Sequence, residues 1–353
     1  PPRLPIWGSY WFVLWQNYKF VHVAYHKLAK KYKTKILGLH LGPIPTVVVN
    51  DYEMVRQVLH RPEFQGRVKL DIVNMRTYNE NLGVIFTDGE FWNTQKRFSQ
   101  RYFRDQGFGR RFPKLEQISQ EEIQDTLDLL HGRRKDEEVF KNGLALVPEV
   151  YHSLFYNAMW FMFTGQRFPV NEHHKLRYHT REAMRFQKSI DVTGDAVALT
   201  PWLRHLAPKL TGFTDLMEST ANILRLVQEA VVEHKKNYSE DGGRDFIDRY
   251  LLEMNKNEDS SFHGCLIVKL PERFLDDDGQ LLKKDYTFPF GAGKRLCAGE
   301  TFARQQMFLM LASLLQSFTI KCAPGTKPPS TEAELPGILI TKKSLWVRFE
   351  PRD

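Results

Sequence analysis

Cysteine is scarce in this chain, with only Cys265, Cys297 and Cys322 among 353 residues. The odd count and wide spacing exclude a disulfide framework, and the lack of any CxxC pair argues against a structural zinc site. Such usage fits a protein facing the reducing cytosol. Long apolar runs are also missing: no stretch reaches the roughly 18 residues that read as a membrane span. The N-terminal Pro1-Pro2-Arg3-Leu4-Pro5 carries no signal-peptide pattern. Repeats and low-complexity tracts are absent, so a repeat array is excluded.

What is present describes a globular protein. Hydrophobic residues make up 42%, aromatics 13% and charged residues 26%, enough for a real core. The formal net charge of +8 favours acidic surfaces: anionic lipid, an acidic protein or nucleic acid. The Lys and Arg residues are spread along the chain, with no zinc finger, RNA-binding signature or aromatic–basic array, so a nucleic-acid partner is not expected. Near the start, Tyr10-Trp11-Phe12-Val13-Leu14-Trp15 is too short to span a bilayer. It suits either a membrane interface or the core.

Hydrophobic patterning predicts a helix over 20–34, strands over 36–41 and 46–49 joined through Gly42-Pro43-Ile44-Pro45, and a helix over 51–60 capped by Asp51. Further helices are expected over 90–103, 115–131, 144–163, 172–189, 213–238 and 244–256, with 192–212 read as a connection. After an irregular stretch over 271–293, a helix is expected over 298–318. Its Met307-Phe308-Leu309-Met310-Leu311-Ala312 is apolar all round and so requires burial. Strands including Leu345–Phe349 end the chain. The fold class is mainly α (α+β), with a small β region near the N-terminus.

The most informative string is Phe290-Gly291-Ala292-Gly293-Lys294-Arg295-Leu296-Cys297-Ala298-Gly299. Cys297 stands just before a helix, whose dipole and N–H groups favour a thiolate. The glycines permit tight turns and close backbone approach. Phe290 can shield the sulfur, and Arg295 offers a fork for a carboxylate. Together they describe a thiolate presented to a metal cofactor bearing acidic groups. A phosphate-loop reading fails on spacing and on the missing Ser/Thr after Lys294. A cysteine-nucleophile reading lacks a partner, since the nearest histidine, His263, has nothing to recommend it.

Phe290-x-x-Gly293-x-Arg295-x-Cys297-x-Gly299 resembles the haem-binding signature of the cytochrome P450 family at every fixed position. By average composition such a match arises in on the order of one in several million windows. Pro271-Glu272-Arg273-Phe274 is similar to the family's PERF element, and Glu300–Arg304 to its following helix. Residues 1–9 resemble the Pro-rich hinge after the anchor of microsomal members, and Phe86–Glu90 with Trp92 resemble the helix that contacts the second propionate. The set is most similar to insect microsomal members.

The resemblance implies haem b as cofactor and Cys297 as the axial ligand of its iron. It also implies that Arg295 pairs with one propionate and that Trp92 and Lys96 meet the other. Lys96 stands where the family usually has Arg, and a Lys neutralises charge without the bidentate fork. The activity implied is oxygen insertion into an apolar lipid, steroid-like or xenobiotic substrate. The implied partners are an NADPH-dependent cytochrome reductase docked on basic residues (Lys96, Arg97, Arg101, Arg104, Arg110, Arg111, Lys294) and a membrane surface, the cytosolic face of the endoplasmic reticulum. By the same resemblance, 67–85 and 184–213 face substrate.

Two family features are missing. No acid–alcohol string marks a central distal helix, so no catalytic residue is identifiable. The ExxR strings, Glu53–Arg56 and Glu182–Arg185, lie too far upstream and read as helix surface. Both gaps map to 264–270, read as a deletion junction between a hinge (1–9), an N-terminal region (10–60), a helical region (90–262) and a haem-binding part (271–353) of one domain. The fold is therefore expected to be incomplete and catalysis impaired. The alternatives are a non-catalytic haem-binding or interaction isoform, or a gene-model fragment.

Overall fold

A computed structural model of the chain describes residues 1–75, 77, 80–108, 112–189, 196–237, 244–256, 288–330, 332, 334–337, 339 and 341–352. Helices α1 (Tyr10–Gln16) and α2 (Val21–Lys31) pack on strand β1 (Ile36–Leu41). The strand alternates, sending Leu37, Leu39 and Leu41 into a cluster with Tyr10, Val13, Ala24 and Leu28. β2 (Ile44–Val49) returns antiparallel, with Leu41 opposite Ile44 and Gly42 taking a positive φ in the turn. The aromatic run over 10–15 divides between two faces: Tyr10 and Val13 are buried, whereas Trp11 is 51% and Trp15 78% exposed. Helix α3 (Tyr52–His60) starts where predicted, the Asp51 carboxylate accepting from the Met54 N–H at 3.2 Å. The hydrogen-bonded Lys35 ammonium, with that cap, holds Asp51 below the usual carboxylate range.

After the short α4 (Asp71–Met75), two long helices, α5 (Gly89–Asp105) and α6 (Pro113–Leu130), build the middle of the molecule. The helix expected over 144–163 is corrected. Asn142 and Gly143 both take positive φ and turn β3 (Phe140–Lys141) into β4 (Leu144–Val147), and helix α7 begins only at His152 (His152–Thr164). Asn-Gly is the strongest short hairpin signal, and it overrides the apolar helical pattern that follows. α8 (His173–Ser189) matches its expected span. The 192–212 connection holds two short helices, α9 (Ala196–Leu199) and α10 (Leu203–Leu206), and Val197, Ala198 and Leu199 are buried. It is thus packed in part.

α11 (Phe213–Lys236) and α12 (Phe246–Lys256) meet through His234. Its Nδ1 lies 2.7 Å from the Ala230 carbonyl and its Nε2 2.8 Å from Asp245 Oδ2, so both ring nitrogens face acceptors. Burial opposes the charge, but these hydrogen bonds outweigh it and raise the His234 pKa. A raised folded-state pKa stabilises fully below the ordinary value of about 6.5, and that contribution is lost as pH rises through the folded value. Urea unfolding of the chain should therefore weaken upward through this range, and His234→Gln should flatten the decline. An unchanged decline would contradict the assignment.

The last part comprises α13 (Glu300–Ser317), β5 (Phe318–Cys322) and β6 (Leu345–Pro351). The sheet order is β3-β4-β6-β5, antiparallel throughout, so the chain's end is zipped onto the mid-chain hairpin. α13 buries Phe302, Ala303, Gln306 and Leu314. Contrary to the all-round burial its sequence requires, Phe308 is 71%, Leu311 48% and Leu315 49% exposed, and Leu309 is also exposed. The spacing of Phe308, Leu311 and Leu315 makes one continuous apolar face. Changing these three together to Gln should alter stability by less than about 1.5 kcal/mol, the surface-site range summed, and raise the monomer fraction in light scattering. A loss of several kcal/mol would show that the face is covered. No helix among the described residues is long and apolar enough to cross a membrane.

Candidate functional site

The loop before α13 is shaped by its glycines. Gly293 sits at φ +63, and a Cβ there would lie 2.2 Å from the Leu59 carbonyl oxygen, so the loop is pressed against the end of α3. The close approach is to the chain's own backbone. Gly293→Ala should cost about 3 kcal/mol from strain and clash combined. Gly299→Ala, whose Cβ would meet Phe108 and the Cys297 Sγ at 3.7 and 3.9 Å, should cost below about 1 kcal/mol. Urea denaturation of the two variants checks the contrast.

A turn over Gly293–Arg295 then delivers Arg295 and Cys297 in opposite roles. The Arg295 guanidinium donates from Nε to the Gln65 carbonyl at 3.0 Å, and from Nη2 to the Gln65 and Thr87 carbonyls at 2.7 and 2.9 Å. Its Cζ lies 3.6 Å from the centre of the buried Trp92 ring, and Lys96 Nζ lies 4.7 Å from that ring. Lys96 also donates to the Lys294 carbonyl. Burial and the nearby Arg67 bring the Arg295 pKa down to about 10 against the pull of Asp88. Burial, Arg295 and Lys294 lower that of Lys96. Arg295 Nη1 is buried with no partner. Arg295 and Lys96 thus share one indole, with Arg67 and Lys294 near enough to act on them and Asp88 the carboxylate that opposes Arg67. That imbalance fits a ligand bearing two carboxylates.

Cys297 is half-buried in this loop, and its N–H donates to the Phe290 carbonyl at 2.8 Å. The N–H groups expected to favour a thiolate are in place, and burial opposes them. Burial pushes the thiol up and the Glu300 carboxylate adds to this, while the Gly299 and Glu300 N–H groups pull down without prevailing. A coordinated metal ion deprotonates such a thiol outright. Phe290 is buried and carries the Arg304 guanidinium 4.8 Å from its ring centre.

The structure therefore brings Trp92, Lys96 and Arg295 together and sets Phe290 and Gly299 beside Cys297, whereas Gly293 is pressed against the end of α3. Arg67 was missed by sequence reasoning. It is anchored by its N–H to Asp88 at 2.8 Å and its Nε to the Ile85 carbonyl at 3.0 Å. No periodicity marks it, and only its adjacency to Gly66 in a loop sets it apart. Arg110, Arg111, His263, Cys265 and the 271–274 element with Arg273 lie outside the described residues. Glu53–Arg56 is an exposed i,i+3 pair on α3 at 3.4 Å, as expected of helix surface. The same expectation for Glu182–Arg185 on α8 is corrected, since Glu182 is buried and also accepts from Asn222 Nδ2 at 2.8 Å. Of the substrate-facing candidates, Leu70, Ile72, Val73 and Val197 pack together with Phe186 alongside, whereas Val68 and Trp202 are exposed.

Comparison with known proteins meets this geometry. The family model described as Cytochrome P450 matches residues 1–267 and 270–349. The farnesoate epoxidase of Bombyx mori is 25% identical over 471 positions, covering 100% of this chain and 93% of that protein. A probable cytochrome P450 305a1 of Drosophila melanogaster is 22% identical, covering 94% and 89%. Cytochrome P450 2C50 of Mus musculus is 24% identical, covering 99% and 93%. An alignment of 471 positions that uses all 353 residues leaves at least 118 positions, 471 less 353, with no counterpart here. The chain is shortened internally relative to these proteins. With the match running over nearly its whole length, the chain belongs to the cytochrome P450 family, the haem b monooxygenases.

Proposed function

We propose that Cys297 is the axial ligand of a haem b iron, and that Arg295, Lys96, Trp92 and Arg67 receive the two propionates. The observation that carries this reading is the pair of half-buried cations, Arg295 and Lys96, on the Trp92 ring, with an Arg295 N–H left without an acceptor beside the Cys297 loop. A haem held there supplies the thiolate-ligated iron at which the family reduces dioxygen and oxidises its substrates. The chain's own part is to neutralise the propionates, seat the loop through Gly293 and screen the sulfur with Phe290. Titration with haemin tests the ligation. Cys297→Ser should weaken binding and change the Soret band, whereas identical spectra for the two proteins would refute it.

The family uses a redox partner and apolar substrates. For this chain we infer a lipid, steroid-like or xenobiotic substrate over the Leu70–Val73 and Val197 cluster, by likeness to relatives that include a farnesoate epoxidase. The exposed Lys and Arg residues of α5 suit the acidic face of an NADPH-dependent reductase. Trp11, Trp15 and Tyr18 are exposed beside the N-terminus and suit a membrane interface. Likeness to the mammalian 2C proteins supports the cytosolic face of the endoplasmic reticulum as its place.

We further propose that the missing block was lost at 264–270 and that catalysis is impaired as a result. The uncovered face of α13 supports this, since an apolar helix of the haem-bearing part has lost neighbours that its sequence still provides for. The same face favours a second reading, a non-catalytic haem-binding or interaction isoform. Haem content per chain after purification separates a haem binder from an apoprotein.

A further inference from the structure

We propose that the cleft between the α6–β3 connection and the first turn of α8 binds a phosphate ester. The connection runs Arg133-Arg134-Lys135-Asp136-Glu137-Glu138. It faces a short turn over Val170–Glu172 and the start of α8 across an open cleft of about 590 Å³. Arg134, Lys135, His174 and Arg177 line it against one carboxylate, Asp136.

These cations are not equivalent. Arg177 is already neutralised, donating to Asp136 at 2.7 Å and Glu138 at 2.6 Å. Arg134 has only long contacts, 4.0 Å to Asp136 and 3.5 Å to the Asp125 carbonyl, and its Nε is buried with no partner. Lys135 is exposed and has no ion pair among the described residues. His174 places Nδ1 3.2 Å from the Asn171 carbonyl, so Nε2 is the ring nitrogen left for a ligand. Behind the wall, burial first and then the charges of Arg134, Arg177 and Arg167 hold His173 down to about 4, against the pull of Asp136.

The Nη groups of Arg134 are held only by these long contacts, so they can turn to an entering oxyanion with little hydrogen bonding lost. A phosphate monoester carries up to two charges and three acceptor oxygens. Arg134, Lys135 and His174 approach from two separate elements, which suits three oxygens better than the planar pair of a carboxylate. The cleft is open to solvent, which leaves room for the esterified group. None of these residues belongs to the Cys297 site.

Calorimetric titration of the chain with glycerol 3-phosphate and with inorganic phosphate tests the assignment. The ester should bind saturably and more tightly than inorganic phosphate. Arg134→Gln should weaken it by about tenfold or more, as expected for a lost charge-assisted hydrogen bond. Lys135→Gln, at an exposed position that does not endanger folding, should weaken it severalfold. Lys209→Gln, at an exposed position outside the cleft, should leave it unchanged. Sedimentation with phosphatidylcholine vesicles, with and without phosphatidic acid, identifies the source of the phosphate. Retention that requires phosphatidic acid and is lost specifically in Arg134→Gln makes it a lipid headgroup; indifference to Arg134 makes it a soluble ester. Absence of saturable binding, equal loss in Lys209→Gln, or displacement by chloride at matched ionic strength would overturn the proposal.

Discussion

Arg295→Leu is expected to destabilise the chain by about 3 kcal/mol and to weaken haem binding by about a hundredfold or more. Two effects compete. The substitution removes three hydrogen bonds from a charged donor to the Gln65 and Thr87 carbonyls, each contributing about 1.5–3 kcal/mol. It also removes one cation from a group that includes Arg67 and Lys96, which relieves repulsion. The hydrogen bonds win because they tie the Cys297 loop to two other segments, and both carbonyls would be left without their donor. For haem binding the two effects no longer oppose each other, since the lost cation is also a lost propionate partner. Arg295→Lys should fall between, keeping charge without the fork. Urea unfolding and haemin titration read the two quantities separately. A variant more stable than the parent, or one with unchanged haem affinity, would contradict this account.

Inserting the internal block of the Bombyx mori relative between 267 and 270 should stabilise the chain by at least about 5 kcal/mol. Phe308, Leu309, Leu311 and Leu315 are all exposed on α13, and burying each contributes about 1.5–3 kcal/mol. Packing differences between proteins 25% identical offset part of the sum. The discriminating measurement is Leu311→Ala in both forms. It should be nearly neutral in the chain as it stands and cost about 2–5 kcal/mol in the restored form, where it opens a cavity. Equal effects in both would mean that the block does not cover α13.

Much of the helical frame was legible because burial on one face leaves a 3.6-residue period, as in α2, α5, α6, α8 and α11. Asp51 was legible as a cap for a local reason, since its carboxylate serves the N–H three residues on. The β3–β4 hairpin was missed because apolar residues from Leu144 onward read equally as strand or buried helix. Only Asn142-Gly143, with its tolerance for positive φ, decides between them. The short helices α9 and α10 lie in a Pro-punctuated stretch too brief to show a period.

The site divides in the same way. Cys297, Gly293 and Arg295 sit within one loop, so their spacing is a local signal. Trp92 and Lys96 came from likeness of the α5 start, and the structure sets both beside Arg295. Arg67 is assembled only through tertiary contact and leaves no pattern in the chain. The thiol's raised pKa was not legible because it depends on burial, which opposes the N–H groups that the sequence does announce.

The central claim is that the chain retains the ligand set of a haem-thiolate enzyme but lacks the block that closes the pocket. It is tested most directly by the carbon-monoxide difference spectrum of the reduced, haem-supplied chain, normalised to protein and run beside the block-restored form with a reductase present. The account predicts a weak or absent thiolate-type Soret shift and no turnover for the chain as it stands, with both recovered on restoration. A full thiolate-type shift accompanied by substrate turnover from the shortened chain would contradict it.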